Sequence, residues 1–346
     1  PTPFYEDSEL AYFKTHYYGG IKKYQWVTLP LALHGVVVKK DGTVVNVCIG
    51  EKADDPVVGI TDLLIHLSAK QMGKKASEVI EGEDLNILIG SMPLEGEEKD
   101  AVKANVLKML KDNYDIEADD FLSAEIEAVP AGAARDFGLD RSMVMGYGHD
   151  DRVCAYTSLM AEVEAETPVY TTVSVYADKE EVGSDGVAGL HSDWMEHFIT
   201  YLAQMQDVNV LTALRNSKCL SADVNACYDP TFPDVMDPRN SCYLNKGVVI
   251  TKYTGSGGKS GTNDSTAEFY AEITNMLDTN GCYWQAGELG KVDQGGGGTV
   301  AKFVSQKNID TVDLGVPVLS MHAPFELVSK IDVYTTYKAF VAFLNR

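Results

Sequence analysis

The chain has 346 residues, enough for one large α/β domain or a main domain carrying an insertion, and its 45% hydrophobic, 23% charged composition is that of an ordinary globular protein with a sizeable core. Acidic residues outnumber basic ones, 51 against 29, and the resulting formal charge of −22 repels nucleic-acid phosphates and anionic lipid headgroups. No apolar run approaches the roughly 20 residues that cross a bilayer as a helix, so neither nucleic acid nor membrane is expected as a partner.

In chain order, the opening residues Pro1-Thr2-Pro3-Phe4-Tyr5 carry no Met and no basic-then-apolar leader, and read as a chain whose beginning is missing. The next stretch is β-rich. Two runs of valines flank Asp41-Gly42, the strongest short-range hairpin signal. Residues 62–69 predict a short helix, and within 95–120 the positions Val102, Val106, Leu107 and Leu110 recur at helical spacing, giving one apolar face. Residues 15–140 thus read as a β-rich module with a helix or two. After Asp150 apolar runs alternate with helical segments at the rhythm of a mostly parallel sheet, which makes this part α/β. Helices are predicted over 153–164, 192–206, 265–277 and 324–344. Strands are predicted over 169–176, up to 222, over 247–251 and over 312–320, the first of them buried. The six cysteines form no C-x-x-C pair, which suits a reducing cytoplasm and argues against a structural zinc site.

Open α/β sheets bind ligands beyond the carboxyl ends of their strands, and acids or a histidine stand where these runs stop. Strand 169–176 runs into Asp178-Lys179-Glu180-Glu181, the strand near Leu220 into Asp223, and the strand near Val318 into His322, while Asp150 heads the first helix. Carboxylates mixed with imidazole suit borderline divalent ions such as Zn, Co or Mn. Adjacent glutamates allow one to coordinate while the other stays free as general base. Each residue also has a plainer reading, a solvated turn for Glu180-Glu181 and a satisfied hydrogen-bonding group for His322. The run Tyr253 to Ser260 is no phosphate loop, since Tyr253 stands where that motif needs Gly, and reads as a flexible loop. The amides of Gly295 to Thr299 are placed either to hold a carboxylate or oxyanion or merely to connect two elements. Cys154 near His149 raises a nucleophilic cysteine, against which Cys154 falls on the apolar face of its helix.

Taken together, Gly148-His149-Asp150-Asp151-Arg152, Asp178-Lys179-Glu180-Glu181-Val182-Gly183-Ser184, Ser221-Ala222-Asp223-Val224 and Ser320-Met321-His322-Ala323-Pro324-Phe325-Glu326 resemble the aspartyl aminopeptidase and vacuolar aminopeptidase I family. The resemblance spans essentially the whole chain. It implies a mostly parallel-sheet zinc-peptidase catalytic domain over 141–346, begun by 1–14 and interrupted by a β-rich assembly domain at 15–140. It implies a metallo-aminopeptidase with two divalent metal ions, zinc foremost: Asp150 bridges both, Glu181 and His322 complete one, Asp223 serves the other, and Glu180 is the general base. Peptides are the implied substrates, a cytoplasmic homododecamer the implied assembly. Lys246, Lys259, Gly297 and Thr299 are candidates for substrate binding.

The family's first ligand, the His of an Ala-His-x-Asp-Ser-Pro segment, falls before Pro1, so the residues present favour one metal over two. Family members often carry Asp-Val-Ala-His-Ala where this chain has Asp223-Val224-Asn225-Ala226-Cys227. Two alternatives follow: a catalytically impaired member serving as an assembly protein, or a related amidohydrolase such as a deacylase.

Overall fold

The computed structural model describes residues 3–346, which form two compact units divided after Ala134. In the first, β1 (Phe4–Asp7) and β2 (Leu10–Phe13) make an antiparallel hairpin, and β3 (Leu31–Val38) pairs with β4 (Val44–Ile49). The β3–β4 turn is the Asp41-Gly42 turn expected from sequence: Gly42 takes φ +86°, and Asp41 Oδ1 accepts the Thr43 N–H at 2.9 Å. A single helical turn, α1 (Ala69–Met72), follows a 3₁₀ turn at Ile65–Leu67, so the helix predicted over 62–69 is displaced toward the chain's end. Strand β5 (Ile87–Gly90) joins β2, helix α2 (Ala101–Tyr114) follows, and β6 (Ala124–Pro130) covers the other edge of β3. The predicted apolar face of α2 packs as expected, with Val102 buried and Val106, Leu107 and Leu110 against a core of Phe4, Leu31, Val37, Ile87 and Phe121.

Because β1 and β2 pair with each other and with β5, residues 3–14 belong to this first unit and not to the other domain; residues 1 and 2 lie outside the described residues. The boundary also falls earlier than 140. Strand β7 (Arg135–Phe137) hydrogen-bonds to β8 (Met143–Gly146), which ties it to the second unit.

The second unit continues with α3 (His149–Glu164), α4 (Trp194–Met205), α5 (Val210–Asn216), β9 (Lys218–Ser221) and β10 (Asn225–Ala226). Then come β11 (Val248–Thr251), the hairpin β12 (Tyr253–Ser256) and β13 (Ser260–Asp264), α6 (Ala267–Thr279) and β14 (Trp284–Ala286). The chain closes with α7 (Ala301–Ser305), β15 (Asp310–Gly315), β16 (Pro317–Leu319), β17 (Glu326–Ser329) and α8 (Lys330–Leu344). One sheet has the order β14-β11-β15-β9, a second β10-β16-β17-β8-β7. The class is α/β, but the sheets are mixed and not mostly parallel: β11–β14, β9–β15 and β10–β16 are parallel, whereas β11–β15, β16–β17, β17–β8 and β8–β7 are antiparallel.

Two expectations fail for identifiable reasons. The segment 169–176 forms no strand and is not buried, with Val169 75% and Tyr170 72% exposed; Thr172 and Ser174 hydroxyls donate to the Glu162 carboxylate on α3, so the run lies along a helix and lacks a pairing partner. The helix predicted over 324–344 starts only at Lys330, because Glu326–Ser329 are recruited between β16 and β8. The expected strand 312–320 exists but breaks at Val316, and its halves serve different sheets. Pro317 has no N–H to donate and opens the second half, a position where a strand tolerates proline. Among the described residues no helix is long and apolar enough to cross a membrane.

Candidate metal centre

Four chain segments deliver the candidate residues. Asp150 stands in the first turn of α3 with non-helical φ and ψ, and its peptide bond to Asp151 is cis. Glu180 and Glu181 occupy a 3₁₀ turn bracketed by Lys179 and Gly183, both at positive φ. Asp223 follows β9, and His322 follows β16 at φ +63°. The β9–β15 and β10–β16 pairings hold these ends close, with Val316 and Val318 carbonyls accepting the Asn225 and Cys227 N–H groups. Here Gly315 is essential to the approach of the strands: a Cβ on it would stand 1.9 Å from the Asp223 carbonyl oxygen.

The expected ligands do come together. His322 Nε2 lies 3.1 Å from Asp150 Oδ2 and 3.6 Å from Glu181 Oε2, and donor atoms of Asp150, Glu181 and His322 fall within 4.8 Å of one another. Asp150, Asp151 and Asp223 form a second such group, so Asp150 is common to both. Tetrahedral zinc with ligands at about 2.0–2.1 Å sets neighbouring donor atoms about 3.3 Å apart, and the two observed separations bracket that value. Asp151 escaped sequence reasoning, although its place beside Asp150 was a usable signal.

Electrostatics point the same way. Burial, then repulsion from Glu181 and Asp150, raises the Glu180 carboxyl to about 7, opposed by His322. Burial and Asp150 raise Glu181 as well. Asp223 is pushed well above the usual carboxylate range by burial and by Asp151, Asp150, Asp313 and Glu180 in turn. Burial likewise holds Asp151 high, and its Oδ1 is buried without a hydrogen-bond partner. Crowded acids facing a single imidazole, with an orphaned carboxylate oxygen among them, are the donor set a divalent cation compensates. The nucleophilic-cysteine reading does not fit this geometry: Cys154 is fully buried, and burial with Asp151 pushes its thiol well above the usual range.

The proposed substrate-binding residues are differently engaged. Lys259 Nζ donates to the Leu289 and Gly290 carbonyls at 2.6 and 3.4 Å, fastening the β12–β13 hairpin. Gly297 gives its carbonyl to the Gly255 N–H at 2.7 Å. Lys246 sits exposed on a turn whose Asn245 and Gly247 N–H groups are held by Asp332. Thr299 and Ser221 lie near Asp313, but their hydroxyls and both Asp313 oxygens are buried without a hydrogen-bond partner, and burial raises the Asp313 carboxyl to about 6. An acid that titrates at about 6 when folded and 3.8 otherwise contributes stability that is complete below pH 3.8 and lost as pH rises through about 6. The difference corresponds to about 3 kcal/mol. Asp313→Asn is therefore expected to raise the Tm at pH 8 and to leave it unchanged near pH 4; melting curves showing the same difference at both pH values would refute this.

The α/β frame carries a carboxylate–imidazole cluster whose donor atoms could hold a metal ion. Comparison with known proteins makes this specific. Residues 1–344 match the family described as aminopeptidase I zinc metalloprotease (M18). A probable M18 family aminopeptidase 1 of Clostridium acetobutylicum is 56% identical, over 99% of this chain and 75% of its own length, and one of Thermotoga maritima is 46% identical over 100% and 77%. The crystal structure of the M18 aminopeptidase from Thermotoga maritima superposes with a TM-score of 0.96 at 46% identity, covering 99% of this chain and 77% of that one. Aminopeptidase I from Clostridium acetobutylicum gives 0.94 at 56% identity, covering 100% and 76%. The S. cerevisiae mApe1 dodecamer shares the fold at 21% identity, with a TM-score of 0.75 over 99% of this chain and 75% of that one. The chain belongs to the M18 family and is a zinc metallo-aminopeptidase.

Proposed function

We propose that the chain hydrolyses the first peptide bond of free-amine peptides with Glu180 as general base, at a centre where Asp150 is shared by two ions. The observation that carries this is the meeting of Asp150, Glu181 and His322 beside a second acidic group that also contains Asp150. Asp223 serves the second position with Asp150, and Asp151 stands alongside it. A bound divalent ion supplies Lewis acidity, polarising the scissile carbonyl and making water a nucleophile at neutral pH. Glu180, held apart from the ligand set yet next to Glu181, takes the proton from the attacking water and passes it to the departing amine.

The test uses aminoacyl p-nitroanilides and their amino-acetylated counterparts. Turnover of the free-amine substrates alone, removed by a zinc chelator and restored by zinc, is the expected result. Release of acetate from the acetylated substrates without p-nitroaniline would favour a deacylase, and hydrolysis of neither substrate an impaired assembly protein.

Self-association into a homo-oligomer, with a dodecamer as the family's form, is part of the same proposal. Leu63, Leu64, Ile65, Leu67 and Met72 of the first unit are 46–69% exposed within ten residues, an apolar patch that a second copy would cover. Ile65→Asp with Leu67→Asp is expected to shift the particle mass measured by light scattering to a smaller species; an unchanged mass would remove this patch from the interface. All six cysteines are free thiols, which supports a cytoplasmic location.

A further inference from the structure

Glu326 begins β17, four residues beyond His322, and is only 2% exposed. Pairing with Gly146 of β8 fixes its place in the sheet. Its two carboxylate oxygens are spent on two backbone donors: Oε1 accepts the His322 N–H at 2.7 Å, and Oε2 accepts the Asp150 N–H at 2.8 Å. A buried carboxylate is tolerated when charge-assisted hydrogen bonds satisfy it, and here the donors are the backbones of the two residues whose side chains lie 3.1 Å apart in the metal centre. His322 is also at φ +63° and Ser320 at φ +60°, in the left-handed region that L-residues avoid, so the His322 backbone needs a fixed partner to stay where it is.

We propose that Glu326 is a positioning residue: its carboxylate clips the Asp150 and His322 backbones together and so sets the spacing of the side chains that hold the metal. The proposal rests on the metal-centre reading above. It requires no contact between Glu326 and an ion, since both oxygens are already engaged.

Zinc affinity of the full chain, measured by competition with a chromogenic chelator, tests it on wild type, Glu326→Gln and Glu326→Asp, with circular dichroism of the zinc-free proteins as the fold control. Glutamine offers one acceptor oxygen and sets an amide N–H₂ against the second backbone donor, whereas aspartate keeps the carboxylate. The expected result is a zinc Kd about 10- to 100-fold weaker in Glu326→Gln, partly restored in Glu326→Asp. A folded Glu326→Gln protein with wild-type zinc affinity would overturn the clip. Should neither variant fold, hydrogen exchange of the Asp150 and His322 amides in the wild type decides: protection of both supports the clip, and exchange at the rate of open amides overturns it. Failure of the wild type to bind zinc brings down the metal-centre reading and the clip together, whereas tight wild-type binding unaffected by Glu326→Gln brings down the clip alone.

Discussion

Glu180→Gln is expected to lower kcat on aminoacyl substrates by about 10²- to 10⁴-fold while the zinc content stays at the wild-type value. The two effects separate because of geometry. Glu181, not Glu180, stands with Asp150 and His322 in the donor group, so the amide leaves that set intact and removes only the proton acceptor. The substitution is nearly isosteric, and it relieves the repulsion among Glu180, Glu181 and Asp150 that raises the wild-type carboxyl. The folded protein is therefore expected to be no less stable. Zinc analysis beside steady-state kinetics checks the prediction; loss of zinc together with activity would move Glu180 into the ligand set, and unchanged kcat would end its role as base.

Asp150→Ala has the larger consequence for binding. Asp150 belongs to both donor groups and its side chain is only 9% exposed, so its removal takes one ligand from each and leaves Glu181 and His322 on one side and Asp151 and Asp223 on the other. Zinc is expected to be lost on dialysis and turnover to fall below detection, with the fold retained because the backbone bond from Asp150 to Glu326 does not involve the deleted carboxylate. Isothermal titration with zinc measures this directly. Wild-type affinity in Asp150→Ala would show that the ion is held elsewhere.

Part of this centre is legible in the sequence because Asp223 and His322 sit where strands end, a local property, whereas Glu180 and Glu181 follow no strand. Asp223 after β9 and His322 after β16 were found that way, and the apolar spacing of Val102, Val106, Leu107 and Leu110 gave α2 directly. What was not legible depends on partners distant in the chain. The β-branched run 169–176 has strand propensity but no neighbour to pair with, and its hydroxyls bond to α3 instead. Residues Glu326–Ser329 look helical by continuity with α8, yet β8 claims them as a strand. The early strands β1 and β2 carry no local mark of the unit to which they belong; only their ladder to β5 assigns them. Asp151 stands beside Asp150 and Glu326 four residues after His322, but their contacts with Cys154 and with the Asp150 and His322 backbones arise only once the chain has folded.

The most direct test of the whole account is the zinc bound per chain after exhaustive dialysis, measured by inductively coupled plasma mass spectrometry on the wild type and on His322→Ala, with hydrolysis of a free-amine aminoacyl substrate followed on the same samples. Retained zinc with turnover in the wild type, and loss of both in His322→Ala, is the predicted outcome. A wild-type protein that holds no zinc and gains no turnover when zinc is added, or a His322→Ala protein that keeps its zinc, would contradict the account.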